Sequence, residues 1–577
     1  MFRTYLRICG SLLLFLSLYQ TCFAQTTLDP NVPIDLIDPA RQLEDRLEQE
    51  KQEEEIRNFR SDGLISPNVV NPESPNEGPC VNIFDIQIEG VTLLSKHFME
   101  HLLEGRYPGC LRRFHISDLM RNLDKAYVDQ GYITARTYIP QQDIQKSGVL
   151  KLQVVEGTTE GVILTKNGEI QKSGDLENIT AFPGKTGEIL NIRDFEQGLE
   201  QLNRQSSVNA RMRLEPGVES GGSIVHIETE VRDRYRGFIG LDSLGSESTG
   251  QRQLRVQLGA DGILSANDVG SLVYVGSVNA NAINGAFSVP IGYNTFTASA
   301  SISDFLIPLS DVSELLSNTQ TFTLSVDRVL GRDSRSKTHL SAALRHRASE
   351  RFVNGVALTP QNTTVIDARV RHITNREKAR WSYELGVRSG LPWFGGLTDI
   401  DNLPRDVPHA EFQAIDFAVT RIGKSQKHGR WRASLRGQYA DVALLGNEQF
   451  SLGSQSTVRG FRDPVLGGDS GAALRIDGSF PLPKLTSIKD RAPDFIRTGY
   501  DFLGQTSGLY AFADLGGAYS HGLGEGRFAV GVGGGFRFSM QSTQIDLGFQ
   551  TGIVNLANNS LEQGDNRFTF SVTRKVF

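Results

Sequence analysis

The sequence predicts a mixed α+β and all-β membrane protein: two tandem βααββ repeats followed by a 16-stranded transmembrane antiparallel β-barrel. Three observations predict it. Glycine is in excess, 59 of 577 residues, without a collagen period, which suits extended strands, many turns and close strand contacts. Between residues 80 and 232 the order strand, helix, helix, strand, strand occurs twice. From residue 233 to Phe577 helical periods vanish, and segments of about ten residues alternate apolar with polar or small side chains.

Composition removes other classes. A chain of 577 residues is too long for one core. With 22% charged and 39% hydrophobic residues it is neither a disordered tail nor a bundle of membrane helices. A net charge of −6 gives no argument for a nucleic-acid partner. Four cysteines without paired CxxC spacing suit neither a zinc protein nor a small disulfide scaffold.

Residues 1–24 read as a secretory signal. Arg3 and Arg7 precede the apolar run of residues 12–16, and Cys22, Phe23 and Ala24 lead to a cut between Ala24 and Gln25. The run is short of the roughly 20 residues that a membrane helix needs. Removal of the signal leaves Cys80 and Cys110. An even pair in an exported chain is expected to form one disulfide, with two buried thiols as the alternative.

Residues 25–62 form an N-terminal segment whose stretch of about 39–62 is a polar helix with only Leu43, Leu47 and Ile56 spaced through it. Such a helix is either solvated or sits in a wet, charged cavity, because it has too narrow an apolar face for an ordinary core. Residues 63–79, with Pro67, Pro72, Pro75 and Pro79, read as a flexible linker.

Residues 80–157 hold the first repeat: a strand over 83–88, helices over 97–103 and 116–128, and strands over 132–139 and 149–155. Leu119, Leu123 and Tyr127 share one helix face. Residues 158–232 hold the second repeat: a strand over 161–165, a helix after Leu176, a helix over 192–202 with Phe195, Leu199 and Leu202 inward, and strands over 208–214 and 223–230.

In residues 233–577 one face suits lipid and the other a polar lumen. Leu509, Ala511, Ala513 and Leu515 oppose Tyr510, Phe512, Asp514 and Gly516; Trp431, Ala433 and Leu435 oppose Arg430, Arg432 and Arg436. An even number of strands in a closed barrel removes the edges that an open sheet would expose. The final strand is irregular: Phe568, Phe570 and Val572 alternate out of phase with Phe577, so either a bulge resets the phase or the terminal signal is weak.

The most informative short segment is Val458, Arg459, Gly460 and Phe461, in a large loop of about 446–470 between two strands. Alternation places Phe512, Asp514 and Gly516 on the lumen face of a later strand. A loop folded into the lumen brings the Arg459 guanidinium to the Asp514 carboxylate, a fork that pairs bidentately. Gly516 leaves room for its close approach.

With these segments the chain resembles the outer-membrane transporters of two-partner secretion systems, the family of haemolysin activators and filamentous-haemagglutinin transporters. Val458 to Phe461 is similar to the family's VRGY/F loop motif, and Phe512, Asp514 and Gly516 to its FxDxG strand motif. YVDQGYITARTYIP at 127–140 and LNIRDFEQGLEQLNR at 190–204 resemble the signatures of the first and second POTRA domains, and Cys80 and Cys110 a cysteine pair of some first POTRA domains. The resemblance spans the whole chain. It implies POTRA domains at 80–157 and 158–232, and a barrel at 233–577 that is plugged at rest by the helix and the inward loop. The implied partner is a secreted, haemolysin- or adhesin-like protein with an N-terminal two-partner secretion domain. It is caught unfolded by the POTRA domains and passed through the barrel, with or without activation. A monomer in the outer-membrane lipid of a Gram-negative bacterium, inserted by the barrel assembly machinery, is also implied, with no nucleic-acid partner.

Three alternatives stand beside this reading, of which a passive porin needs no periplasmic repeats at all. An enzyme is disfavoured, since no His-Glu-x-x-His, Gly-x-Ser-x-Gly or phosphate loop occurs, and residues 531–535 are strand glycines without a βαβ context. No cofactor, metal site or catalytic residue is expected. An outer-membrane barrel insertase shares POTRA domains and an arginine-glycine loop, but usually carries more repeats and no N-terminal plug helix.

Overall fold

The computed structural model describes residues 34–58, 79–104, 108–172, 174–310, 312–376, 379–425, 429–481, 507–540, 542–555, 561–563 and 566–577. The signal, with its cut between Ala24 and Gln25, and the linker up to residue 78 lie outside the described residues. The first helix, α1 (Pro39–Asn58), follows a 3-10 turn at Ile34–Leu36; residues 59–62 of the expected helix lie outside the described part.

The first repeat comprises β1 (Cys80–Ile83), β2 (Asp85–Glu89), α2 (Lys96–Leu103), β3 (Gly109–Arg112), α3 (Arg113–Asp129), β4 (Arg136–Tyr138), α4 (Ile144–Ser147) and β5 (Val149–Val155). Leu119, Leu123 and Tyr127 recur every fourth residue on α3 and are fully buried against Leu150, Leu152 and Val154 of β5. The sheet order is β2-β5-β4, with β2 parallel to β5 and β4 antiparallel to it.

Two expectations are corrected. The strand over 132–139 shrinks to β4, because the turn ending α3 takes the preceding backbone groups: the Tyr132 N–H donates to the Tyr127 carbonyl at 2.9 Å and Ala135 N–H to Tyr132 at 3.2 Å. The strand over 83–88 breaks at Phe84, whose N–H donates to the Gly148 carbonyl at 2.7 Å, so β1 leaves the sheet and pairs with β3 instead. Cys80 and Cys110 are disulfide-bonded, with Cα atoms 5.5 Å apart, and tie β1 to β3. Tyr127 donates to Glu156 at 2.6 Å. Burial pushes the Glu156 carboxyl up, but hydrogen bonds from Thr92, Tyr127 and the backbone of Thr92 and Leu93 outweigh it and hold the group below the usual glutamate range.

The second repeat comprises β6 (Thr158–Lys166), β7 (Glu169–Ile170), α5 (Leu176–Ala181), α6 (Ile192–Asn203), β8 (Val208–Pro216) and β9 (Gly222–Val231), in sheet order β7-β6-β9-β8. Asn191 caps α6 by accepting from the Arg193 N–H at 3.0 Å. Phe195 and Leu202 of α6 then meet Leu164, Val225 and Ile227 of the sheet.

This repeat sits against barrel turns through polar groups. Asp194 accepts from the Tyr293 hydroxyl at 2.6 Å, Arg204 donates to Ser288 at 2.6 Å, and Glu200 meets Lys337 at 2.5 Å and Arg332 at 3.1 Å. These turns mark the periplasmic end of the barrel.

Sixteen antiparallel staves, from Tyr235–Asp242 to Arg567–Lys575, close into the barrel. Short strands at Val356–Ala357 and Leu561–Gln563 only extend hairpins, because the staves on either side of each also pair directly. Leu509, Leu515, Phe536, Leu547 and Ile553 stand exposed on the outer face, while Phe512 and Asp514 are buried inside, as alternation predicts. The final stave resets its phase at a bulge: the Gly237 N–H donates to the Phe577 carbonyl, and the Gly237 carbonyl accepts from Val576, so two residues face one.

Candidate functional site: a loop and a helix inside the barrel

The lumen holds two inserts, which meet the wall differently. The first is the connection between strands Gly429–Ala440 and Ser470–Pro481, which folds inward as a small hairpin of Phe450–Leu452 with Leu466–Gly468. Its tip carries the four motif residues. Arg459 donates from Nε and Nη2 to the two oxygens of Asp514, each at 2.7 Å, and its backbone N–H adds a third bond at 3.0 Å. Nη1 reaches Asp477 at 2.7 Å, and the guanidinium lies 3.7 Å from the centre of the Phe512 ring. Asp514 has no exposed side-chain surface.

Close backbone approach makes this possible. Gly460 has φ +108°, and a Cβ there would lie 2.4 Å from the Thr551 carbonyl oxygen. A Cβ on Gly516 would sit 2.6 Å from the Leu452 side chain, and one on Gly531 1.8 Å from the Arg459 carbonyl oxygen. Beneath the ion pair, Val458 and Phe461 are buried with Phe450, Leu452 and Leu466 against Ala473, Ala518, Ala529 and Val554 of the wall. Thus all seven motif residues converge: Val458, Arg459, Gly460 and Phe461 from the loop, and Phe512, Asp514 and Gly516 from the wall.

The second insert is α1. It lies inside the barrel, the wet, charged alternative of the two open for a polar helix. Its N-terminal end meets the outer part of the wall, where Asp35 pairs with Arg351 and Asp38 accepts from Ser303 at 2.9 Å. Glu44 pairs with Arg347 at 2.8 Å, Glu48 with Arg369 at 2.5 Å, Glu50 with Arg255 at 3.5 Å, and Glu53 with Arg432. Glu55 meets Arg371 at 2.8 Å and His339 at 2.9 Å, and Arg380, near the periplasmic end, donates to the Ile56 carbonyl. Three apolar contacts accompany these charges: Ile37, just before the helix, on Ala280, Phe305, Ile307 and Leu315; Leu43 on Val273, Val275 and Ala282; and Ile56 on Ile373. The inserts touch where Gln49 donates to the Ser456 carbonyl at 2.9 Å and Arg41 to the Gly446 carbonyl at 2.8 Å. A polar cleft of about 290 Å³ remains between them, lined by Asp45, Arg46, Arg255, Gln455 and Ser456 among others.

Several residues of the site escaped the sequence reading. Asp477 shares Arg459 with Asp514. Glu448 is buried between Arg345 and Arg388, at 2.8 Å from each, and anchors the entry of the loop. Arg567 donates to the Phe461 carbonyl at 3.2 Å. Lumen-face alternation marked Gly531 and, of the arginines that meet the helix, Arg432; nothing local marked Glu448. Among the described residues no cluster of metal-ligating side chains occurs.

The family model described as haemolysin secretion/activation protein ShlB/FhaC/HecB matches residues 221–538. A ShlB-type POTRA model matches residues 81–157, and a POTRA model residues 165–216. The outer membrane transporter CdiB of Dickeya dadantii is 29% identical over 456 residues, covering 77% of this chain and 80% of its own. The hemolysin transporter protein ShlB of Serratia marcescens is 28% identical over 431 residues, with 72% and 75% covered. The solved structure of CdiB from Escherichia coli superposes with a TM-score of 0.80 at 24% identity, covering 96% of this chain and all of that one, and shares the fold.

Proposed function

This chain belongs to the ShlB/FhaC/HecB family of haemolysin secretion/activation proteins, and from that premise we propose that its lumen is the export path of one secreted partner, with α1 as the removable stopper and the inward loop as a fixed part of the wall. It is an outer-membrane transporter of the two-partner type, with periplasmic POTRA domains, and transporters of this family act with a secreted partner protein. The partner is a haemolysin- or adhesin-like chain that reaches the periplasm unfolded, led by its N-terminal secretion domain. The strands β4 and β8 are outermost in their sheets. An extended segment of the partner adds to them by main-chain pairing, with side-chain pockets giving choice. The protein works as a monomer in outer-membrane lipid, placed there by the barrel assembly machinery.

The observation that carries this reading is a 20-residue helix, almost wholly polar, lodged in the lumen and held there chiefly by side-chain charges. A permanent plug is better served by apolar packing; charge pairs with wet surroundings exchange readily. Asp38 and Ser303 have short side chains that meet at 2.9 Å, which makes Asp38→Cys with Ser303→Cys the pair to cross-link as a disulfide tether. Under oxidising conditions the tethered transporter should stop appearance of the partner at the cell surface, and reductant should restore it. Unchanged export by a fully cross-linked population contradicts the removable-stopper reading.

A further inference from the structure

We infer that the lumen wall carries an arginine track for carboxylates, which holds α1 at rest and, once α1 is gone, binds acidic side chains of an extended polypeptide and makes the open pore anion-selective. The inference rests on the reading that α1 vacates the lumen during export.

Residues 35–58 carry nine carboxylates and four basic side chains. Their wall partners run from the outer to the periplasmic end on neighbouring staves: Arg351 and Arg347 on Ser336–Val353, Arg369 and Arg371 on Gln361–Arg376, with Arg432 and Arg255 on other staves. The six do not stand alike. Arg369 also has the wall carboxylate of Asp367 at 2.9 Å, and Arg371 that of Glu384 at 2.6 Å. Among the described residues, Arg347, Arg351, Arg255 and Arg432 have a carboxylate within 4 Å only from the α1 segment. Buried Nε and Nη2 of Arg255 and Nε of Arg432 have no hydrogen-bond partner among the described residues even with the helix in place.

Removing the helix therefore takes from four guanidinium groups their nearest carboxylate and opens them to the lumen. Four like charges facing one lumen without their nearest carboxylates repel one another, so an anion is drawn in. Their fields overlap across the lumen, since the screening length at physiological salt is about 8 Å. Spacing also suits a passing chain. The eleven-residue step from Glu44 to Glu55 spans about 16 Å of helix, which an extended chain covers in about five residues. Two carboxylates that far apart can occupy two rungs together, and the wet surroundings keep each contact exchangeable.

The test is ion selectivity in planar bilayers across a KCl gradient. A full chain lacking only residues 35–58 should favour chloride over potassium by about threefold or more. Adding Arg347→Gln, Arg351→Gln and Arg432→Gln should bring the ratio towards one. Poly-L-glutamate should block the open pore at about a tenth of the concentration at which poly-L-lysine does. Where the deletion fails to give a folded barrel, the full-length triple variant Glu44→Gln, Glu48→Gln, Glu53→Gln is recorded in its open events, with the same expectation. A cation-selective open pore, a selectivity untouched by the three glutamines, or stronger block by poly-L-lysine overturns the inference. The Asp38–Ser303 tether decides separately whether α1 leaves, so failure of the stopper reading is distinguishable from failure of the track.

Discussion

The two inserts in the lumen are held by opposite means. At the loop, Arg459 and Asp514 meet in a dry pocket roofed by Phe512 and floored by Val458 and Phe461, and the carboxylate has 0% of its side chain exposed. Along the helix, Glu48, Glu50 and Glu53 remain 46%, 54% and 45% exposed while they pair with the wall. A desolvated pair embedded in apolar packing is expensive to break, whereas half-wet pairs are worth little each and are screened by salt. On the proposed reading, the difference separates a fixed part of the wall from a removable one. It also explains why a helix with so few apolar residues is stable here: it borrows a lumen already lined with guanidinium groups.

The contrast can be broken or sharpened by substitution. Asp514→Ala should have the largest effect, loosening the loop by about 3–5 kcal/mol, because it removes three bonds to Arg459 and leaves the buried guanidinium on Asp477 alone. Amide hydrogen exchange over 450–468 measures the loosening, and export of the partner should fall with it. Arg459→Ala should act in the same direction, and an Arg459→Asp with Asp514→Arg exchange should recover part of the loss if the contact is direct. Next comes Gly531→Ala, whose Cβ would strike the Arg459 carbonyl oxygen; overpacking of this kind costs about 1–3 kcal/mol, again read as faster exchange in the loop.

On the helix side, Glu44→Gln should have a middling effect, about 1–2 kcal/mol on helix retention, since its partner Arg347 is almost buried. Glu48→Gln and Glu53→Gln should each change retention by about 0.2–1 kcal/mol. Channel recordings should then show openings more often, in the order Glu44 first. A result in which Glu48→Gln matches Asp514→Ala removes the distinction between the two inserts.

A change outside the lumen serves as the control. The hydrogen bonds to Glu156 depress its proton affinity, so its contribution to the first POTRA domain is whole above the ordinary glutamate value and is lost as pH falls through the lower folded one. Glu156→Gln should flatten the acid side of a melting-temperature profile and leave channel openings unchanged.

Much of this was legible in the chain because alternation has a strict period of two. Once the strand containing Phe512 and Gly516 is recognised, Asp514 must face the lumen, and only an arginine-bearing loop long enough to fold inward was needed to meet it. The same logic located Arg432 and Arg436. Three things were not legible. Which glutamate meets which arginine depends on the tilt and depth of α1, and no local pattern encodes these. Asp477 and Glu448 gain their partners through the inward fold of the loop, Asp477 meeting Arg459 and Glu448 lying between Arg345 and Arg388 of two staves that are not adjacent. The break at Phe84 and the short β4 arose because turn and tertiary hydrogen bonds captured backbone groups that propensity alone would assign to strands.

The central claim, that the loop is fixed and the helix removable, is tested most directly by amide hydrogen exchange on the full protein in detergent at rising NaCl concentration. Screening should accelerate exchange throughout residues 39–58 while residues 450–468 keep their protection. Loss of protection in both segments together, or in the loop first, would contradict the account.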